Sequence, residues 1–105
     1  MDNILGRTIA ETRENLVVGN ILSHNNILAL IDAYVYGTST PMIALIKTLR
    51  MMYWQVEAGK QIYYMDINGL KKTICKNTFE EFVLSISDEY VLKEIYSDDE
   101  NELYG

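Results

Sequence analysis

A chain of 105 residues has room for one core, and 49% hydrophobic with 23% charged residues is the balance of a folded domain, not a disordered segment. No stretch approaches the roughly 18–20 uninterrupted apolar residues of a membrane span. The opening Met1-Asp2-Asn3 lacks a basic signal-peptide start, and the lone Cys75 fits a reducing compartment, so the expectation is a soluble cytoplasmic protein without a membrane partner.

The net charge of −6 is unevenly placed. Residues 1–77 carry eight Lys and Arg against six Asp and Glu, whereas residues 78–105 carry Lys93 alone against nine acids. An acidic end repels phosphates and suits a basic partner surface or plain solvation. Abundant Tyr beside scarce Pro and Trp follows A/T-rich codons and suggests a phage or mobile element of low-GC origin.

In chain order, Thr8-Ile9-Ala10-Glu11 matches a capping box and predicts a helix over about 9–18, stopping near Gly19-Asn20. Ser23 predicts the cap of a second helix that runs to Tyr36 with Gly37 as its left-handed stop. The apolar, β-branched character of 27–36 keeps a buried strand as the alternative.

Thr40 and Pro41 read as the cap and first position of a third helix. Met42, Leu45, Ile46, Leu49, Met52, Tyr53 and Val56 recur at spacings of three and four, which marks a buried stripe. A second row, Ile43, Lys47, Arg50 and Trp54, reads as an amphipathic flank or a contact surface. Residues 52–57 suit either helix or strand.

Asn68-Gly69 predicts a hairpin with a two-residue type I′ turn. That turn pairs Ile67 with Leu70, Asp66 with Lys71, Met65 with Lys72, Tyr64 with Thr73 and Tyr63 with Ile74, leaving Tyr63, Met65, Ile67, Leu70 and Ile74 on an apolar face. Thr78-Phe79-Glu80-Glu81 reads as a second capping box before a helix that buries Phe79, Phe82, Val83 and Ile86. Ser87-Asp88-Glu89 opens a further helical segment through Val91, Leu92 and Ile95 to about Tyr96. The expected architecture is α+β in a single domain: a helix-turn-helix-like trio, a β-hairpin or short antiparallel meander, and one or two C-terminal helices.

Catalytic chemistry finds no foothold in these residues. His24 is the only histidine and lies at a helix start; Cys75 falls on a hairpin strand with no second Cys. One Cys and one His do not make a zinc site, and the run from Asp98 to Glu102 lacks the alternating order of a calcium loop. The six glycines are dispersed, so no phosphate loop and no cofactor are expected.

The function expected is therefore non-enzymatic binding: a small acidic protein that inhibits or modulates a protein partner with a basic surface, such as a nucleic-acid-handling defence effector of a host. The acids Glu89, Glu94, Asp98, Asp99, Glu100 and Glu102 would make the contact, with Tyr90, Tyr96 and Tyr104 as aromatic anchors. The alternative is a winged helix-turn-helix regulator of transcription. Ala33, Gly37 and Ile43 fit that frame, and Lys47, Arg50, Lys71 and Lys72 would meet phosphates. Against it, the groove-facing positions Thr40, Pro41, Ala44, Leu45 and Thr48 offer few donors, and Thr38 stands where an apolar turn residue is usual. A self-associating structural domain, such as a homodimer, is the third class.

Overall fold

The computed structural model describes residues 3–37 and 39–97. It is α+β: three helices, a two-stranded antiparallel hairpin and two further helices. The first helix, α1 (Asn3–Val18), starts well before the expected cap, because Leu5, Ile9, Thr12 and Leu16 form one buried stripe that carries helix through Thr8 and Glu11. The Thr8–Glu11 capping box therefore does not form. The Glu11 carboxylate instead accepts from Asn26 Nδ2 at 3.1 Å.

In α2 (His24–Tyr36) both expected ends are present, and the strand alternative for 27–36 is excluded. Ser23 Oγ accepts from the Asn26 amide and Asn26 Oδ1 accepts from the Ser23 amide, a reciprocal cap with Asn where Glu or Gln is usual. Gly37 has φ +64°, a left-handed stop that only glycine adopts without cost.

The third helix, α3 (Ser39–Glu57), opens one residue before Thr40 and places Pro41 in its first turn, where a missing N–H costs nothing. It runs unbroken through 52–57, because Met52 and Val56 extend the buried stripe; the strand option there does not hold. Gln55 Nε2 donates to the Leu16 carbonyl at 3.0 Å and satisfies part of the open end of α1.

The hairpin is present, but one residue out of the expected register. Strands β1 (Ile62–Met65) and β2 (Lys71–Ile74) pair Ile62 with Ile74, Tyr63 with Thr73, Tyr64 with Lys72 and Met65 with Lys71. Asp66 is the cause. Its Oδ1 accepts from the Asn68 and Leu70 amides at 2.8 and 2.9 Å, while its carbonyl accepts from the Gly69 amide at 3.0 Å. That closes a three-residue loop in which Gly69 alone has positive φ, at +79°. A slip of one residue exchanges the faces of one strand relative to the other. Ile74 is buried as expected, but Ile62 and Tyr64 take the inner face beside it in place of Tyr63 and Met65, Tyr64 against the Phe82 ring at 5.3 Å, while Ile67 and Leu70 are exposed. Asp66 pairs with Lys72 at 4.0 Å instead of Lys71. Leu22 takes the other edge of β1 in a parallel bridge: its amide donates to Tyr63 O, and its carbonyl accepts from Met65 N.

The next helix, α4 (Phe79–Ile86), buries the four residues expected, although its capping box does not form. The Thr78 hydroxyl accepts from the Cys75 amide at 3.0 Å and so is committed to the turn before the helix. In α5 (Glu89–Tyr96), Asp88 is the cap, accepting from the Val91 amide at 3.1 Å, while Val91 and Ile95 are buried. At the centre of the fold, α3 touches α1, α2, β1, α4 and α5, and Leu45, Leu49 and Met52 are fully enclosed.

Candidate protein-binding surface

The surface of α4 and α5 is acidic. Glu80 and Glu81 lie in the first turn of α4 and Glu89 in that of α5, where negative charge complements the positive end of each helix. All three are exposed, and the carboxylates of Glu81 and Glu89 make no hydrogen bond or ion pair to a described residue. Lys93 is the only cation between residues 78 and 97.

Tyrosine hydroxyls tie this surface together. Tyr96 donates to Glu80 Oε2 at 2.6 Å, and its ring meets Tyr53 of α3 edge-on at 5.0 Å. Burial, followed by the Glu80 carboxylate, holds the Tyr96 hydroxyl well above the usual tyrosine range. Tyr34 of α2 donates to Asp88 Oδ2 at 2.8 Å. The Val91 amide and then the Tyr34 hydroxyl lower the Asp88 pKa, and the same Asp88 bond is the largest cause raising that of Tyr34.

The residues singled out for partner binding divide into groups. Glu89, Lys93 and Tyr96 share one stripe of α5, at spacings of three and four. Tyr90, exposed, and Glu94, half-buried, lie on the other flank, since six residues turn a helix by about 240°. Asp98, Asp99, Glu100, Glu102 and Tyr104 lie outside the described residues, as does Thr38.

The cations proposed for DNA fare differently from one another. Lys71 and Lys72 are exposed on β2, with Lys71 Nζ 4.8 Å from the centre of the Tyr63 ring. Lys47 is half-buried. Arg50 is only 4% exposed: its Nε and Nη2 donate to the Glu94 carbonyl at 3.2 and 2.6 Å, placing a cation on the negative C-terminal end of α5. Arg50 is thus a clamp between α3 and α5 and out of reach of a phosphate. The signal for this was available, because Arg50 follows Ile46 by four and precedes Tyr53 by three, at the edge of the buried stripe. In the helix-turn-helix frame, Ala33 is buried and Gly37 makes the turn as expected. The face of α3 meant for the groove nevertheless turns inward, with Pro41, Leu45 and Thr48 buried.

Sequence reasoning also missed the polar node around Asn26. This fully buried side chain accepts from the Ser23 amide and Asn15 Nδ2 and donates to Glu11, joining α1 to the start of α2. Close to it in sequence, His24 Nδ1 is buried with no hydrogen-bond partner among the described residues. The Thr78 hydroxyl is the main cause of a lowered Cys75 pKa. Among the described residues no three His, Cys, Asp or Glu side chains gather as metal ligands, and no helix is long and apolar enough to cross a membrane. Comparisons with protein-family models, curated proteins and solved structures find no match.

Proposed function

We propose that the protein is a non-enzymatic binding protein that applies the acidic, tyrosine-bearing surface of α4 and α5 to a basic surface of a protein partner, and inhibits or modulates that partner by covering it. The observation that carries this reading is the charge pattern of the two helices. Five acids (Glu80, Glu81, Asp88, Glu89 and Glu94) stand against Lys93 alone, with Tyr90 and Tyr96 exposed among them. Tyrosine supplies large contact area at low entropic cost, and clustered carboxylates steer a basic surface into contact. A partner whose cationic groove handles nucleic acid is the class that such a surface suits best. The uncommitted carboxylates of Glu81 and Glu89 are where the interaction is expected to be most sensitive.

Affinity capture from a lysate of the cells in which the protein acts tests this. The wild type should retain a protein with a basic surface, and release it as salt rises, because charges in solvent are screened over about 8 Å at physiological ionic strength. Glu81→Gln with Glu89→Gln should lose it, and Lys71→Gln with Lys72→Gln should keep it. Retention of duplex DNA instead, abolished by the lysine variant, would overturn the reading in favour of a winged-helix regulator.

A further inference from the structure

We propose that the cleft between the end of α3, the turn before α4 and the end of α5 is a guanidinium pocket, into which one arginine side chain of the basic partner inserts. The inference rests on the proposed docking surface and gives it an anchoring site. The cleft has a volume of about 420 Å³ and is walled by Tyr53, Phe79 and Tyr96, with Glu57, Glu80 and Lys76 around it. That size lies within the range of about 300–1,000 Å³ typical of small-ligand sites.

Its chemistry selects a cation. Glu57 and Glu80 line the same cleft as an aromatic cluster in which the Tyr53 ring sits 5.7 Å from Phe79 and 5.0 Å from Tyr96. A positive group is attracted to both, through the faces of the tyrosine rings and through charge-assisted hydrogen bonds to the carboxylates. The first turn of α4 would otherwise favour an anion, but Glu80 and Glu81 occupy it. Glu80 is held in place by the Tyr96 hydroxyl on Oε2, while its Oε1 has no hydrogen bond to a described residue. The raised Tyr96 pKa keeps that hydroxyl protonated, so it continues to donate.

The cleft already receives a positive group from this chain. Lys76 Nζ lies 3.7 Å from Glu57 Oε1, and both side chains are substantially exposed, so the pair is weak and exchangeable. An incoming guanidinium would displace Lys76 from Glu57. Arginine is favoured over lysine because its planar fork binds a carboxylate through two parallel bonds and stacks on an aromatic ring, whereas an ammonium is a more strongly hydrated point charge.

The test is an amide NMR titration of the full chain with N-acetyl-arginine methylamide, alongside the citrulline and lysine analogues. The arginine probe should shift amides at 53–57, 76–80 and 96 in a saturable way, the lysine probe more weakly, and neutral citrulline not at all. Glu57→Gln with Glu80→Gln should abolish the response while preserving the spectrum of the folded chain. Lys76→Met should tighten binding by roughly two- to fivefold, the worth of an exposed ion pair, and Lys93→Met should not. Equal shifts with arginine and lysine spread over Glu81 and Glu89, or no response from the cleft, would overturn the pocket. A partner captured by the wild type and by the Glu57→Gln, Glu80→Gln variant leaves docking standing without the pocket. Saturable arginine binding with no captured partner leaves the pocket standing without docking.

Discussion

Helices α3 and α5 both carry an apolar stripe and both carry charge, yet they use their charges in opposite ways. The polar groups of α3 are drawn into the fold: Thr48 is buried and bonds the Ala44 carbonyl, Arg50 clamps the end of α5, and Gln55 closes the end of α1. On α5, Glu89 and Tyr90 face solvent, and only one side of the helix meets the core. A cation on a central helix thus serves the fold when a helix C-terminus lies within reach of it, as Arg50 does at the Glu94 carbonyl. The exposed carboxylates of Glu81 and Glu89 have no such tie and contribute to the fold mainly through the helix dipole, about 0.3–1 kcal/mol each at most sites.

The largest effect that would sharpen this contrast is expected at the enclosed centre of α3. Leu49→Ala should destabilise the fold by roughly 2–5 kcal/mol, read as a lower urea midpoint at unchanged slope. Arg50→Met should come next, at about 1.5–3 kcal/mol, because it leaves the Glu94 carbonyl without its charged donor. Exposed Lys60→Met should stay within about 0.5 kcal/mol. Equal losses at Arg50 and Lys60 would break the comparison.

The hairpin offers a smaller, sharper pair. Gly69→Ala should cost about 1–2 kcal/mol because its φ is left-handed, whereas Asn68→Ala should change little, since Asn68 has negative φ in the three-residue loop. A type I′ turn predicts losses at both positions, so melting temperatures of the two variants decide between the turns.

Much of the fold was legible where one local signal decides the outcome. The caps at Ser23 and Asp88, the glycine stop at Gly37 and the buried face of α4 all follow from nearest neighbours along the chain. The structure departs from the local signal where a side chain has two competing partners. Asp66 could pair across the strands or close an Asx turn, and the turn won, shifting the register. Thr78 could cap α4 or bond the Cys75 amide, and Arg50 could face solvent or a helix end that lies 44 residues away. The acids and tyrosines of the candidate surface were visible as composition, but the pairing of Tyr96 with Glu80 and of Tyr34 with Asp88 depends on helix packing.

The smallest effect expected is a pH dependence at that tertiary contact. Asp88 has a folded pKa below its unfolded value, so its contribution is present above about pH 4 and is lost as pH falls through the lower folded pKa. Tyr34 has a raised pKa, so its contribution is present below about pH 10 and is lost as pH rises through the higher folded value. Melting temperature against pH should therefore flatten on the acid limb in Asp88→Asn and on the alkaline limb in Tyr34→Phe.

Arg50 inside the α3–α5 contact holds the fold, and under the proposed function Glu81 and Glu89, outside that contact, hold the partner. Calorimetric titration of the captured partner against Glu81→Gln with Glu89→Gln, together with the thermal melt of the same variant, tests this division of roles most directly. The expected result is a melting temperature close to the wild type and an affinity reduced by about tenfold or more, the scale at which clustered interfacial charges couple. Wild-type affinity in that variant would contradict it.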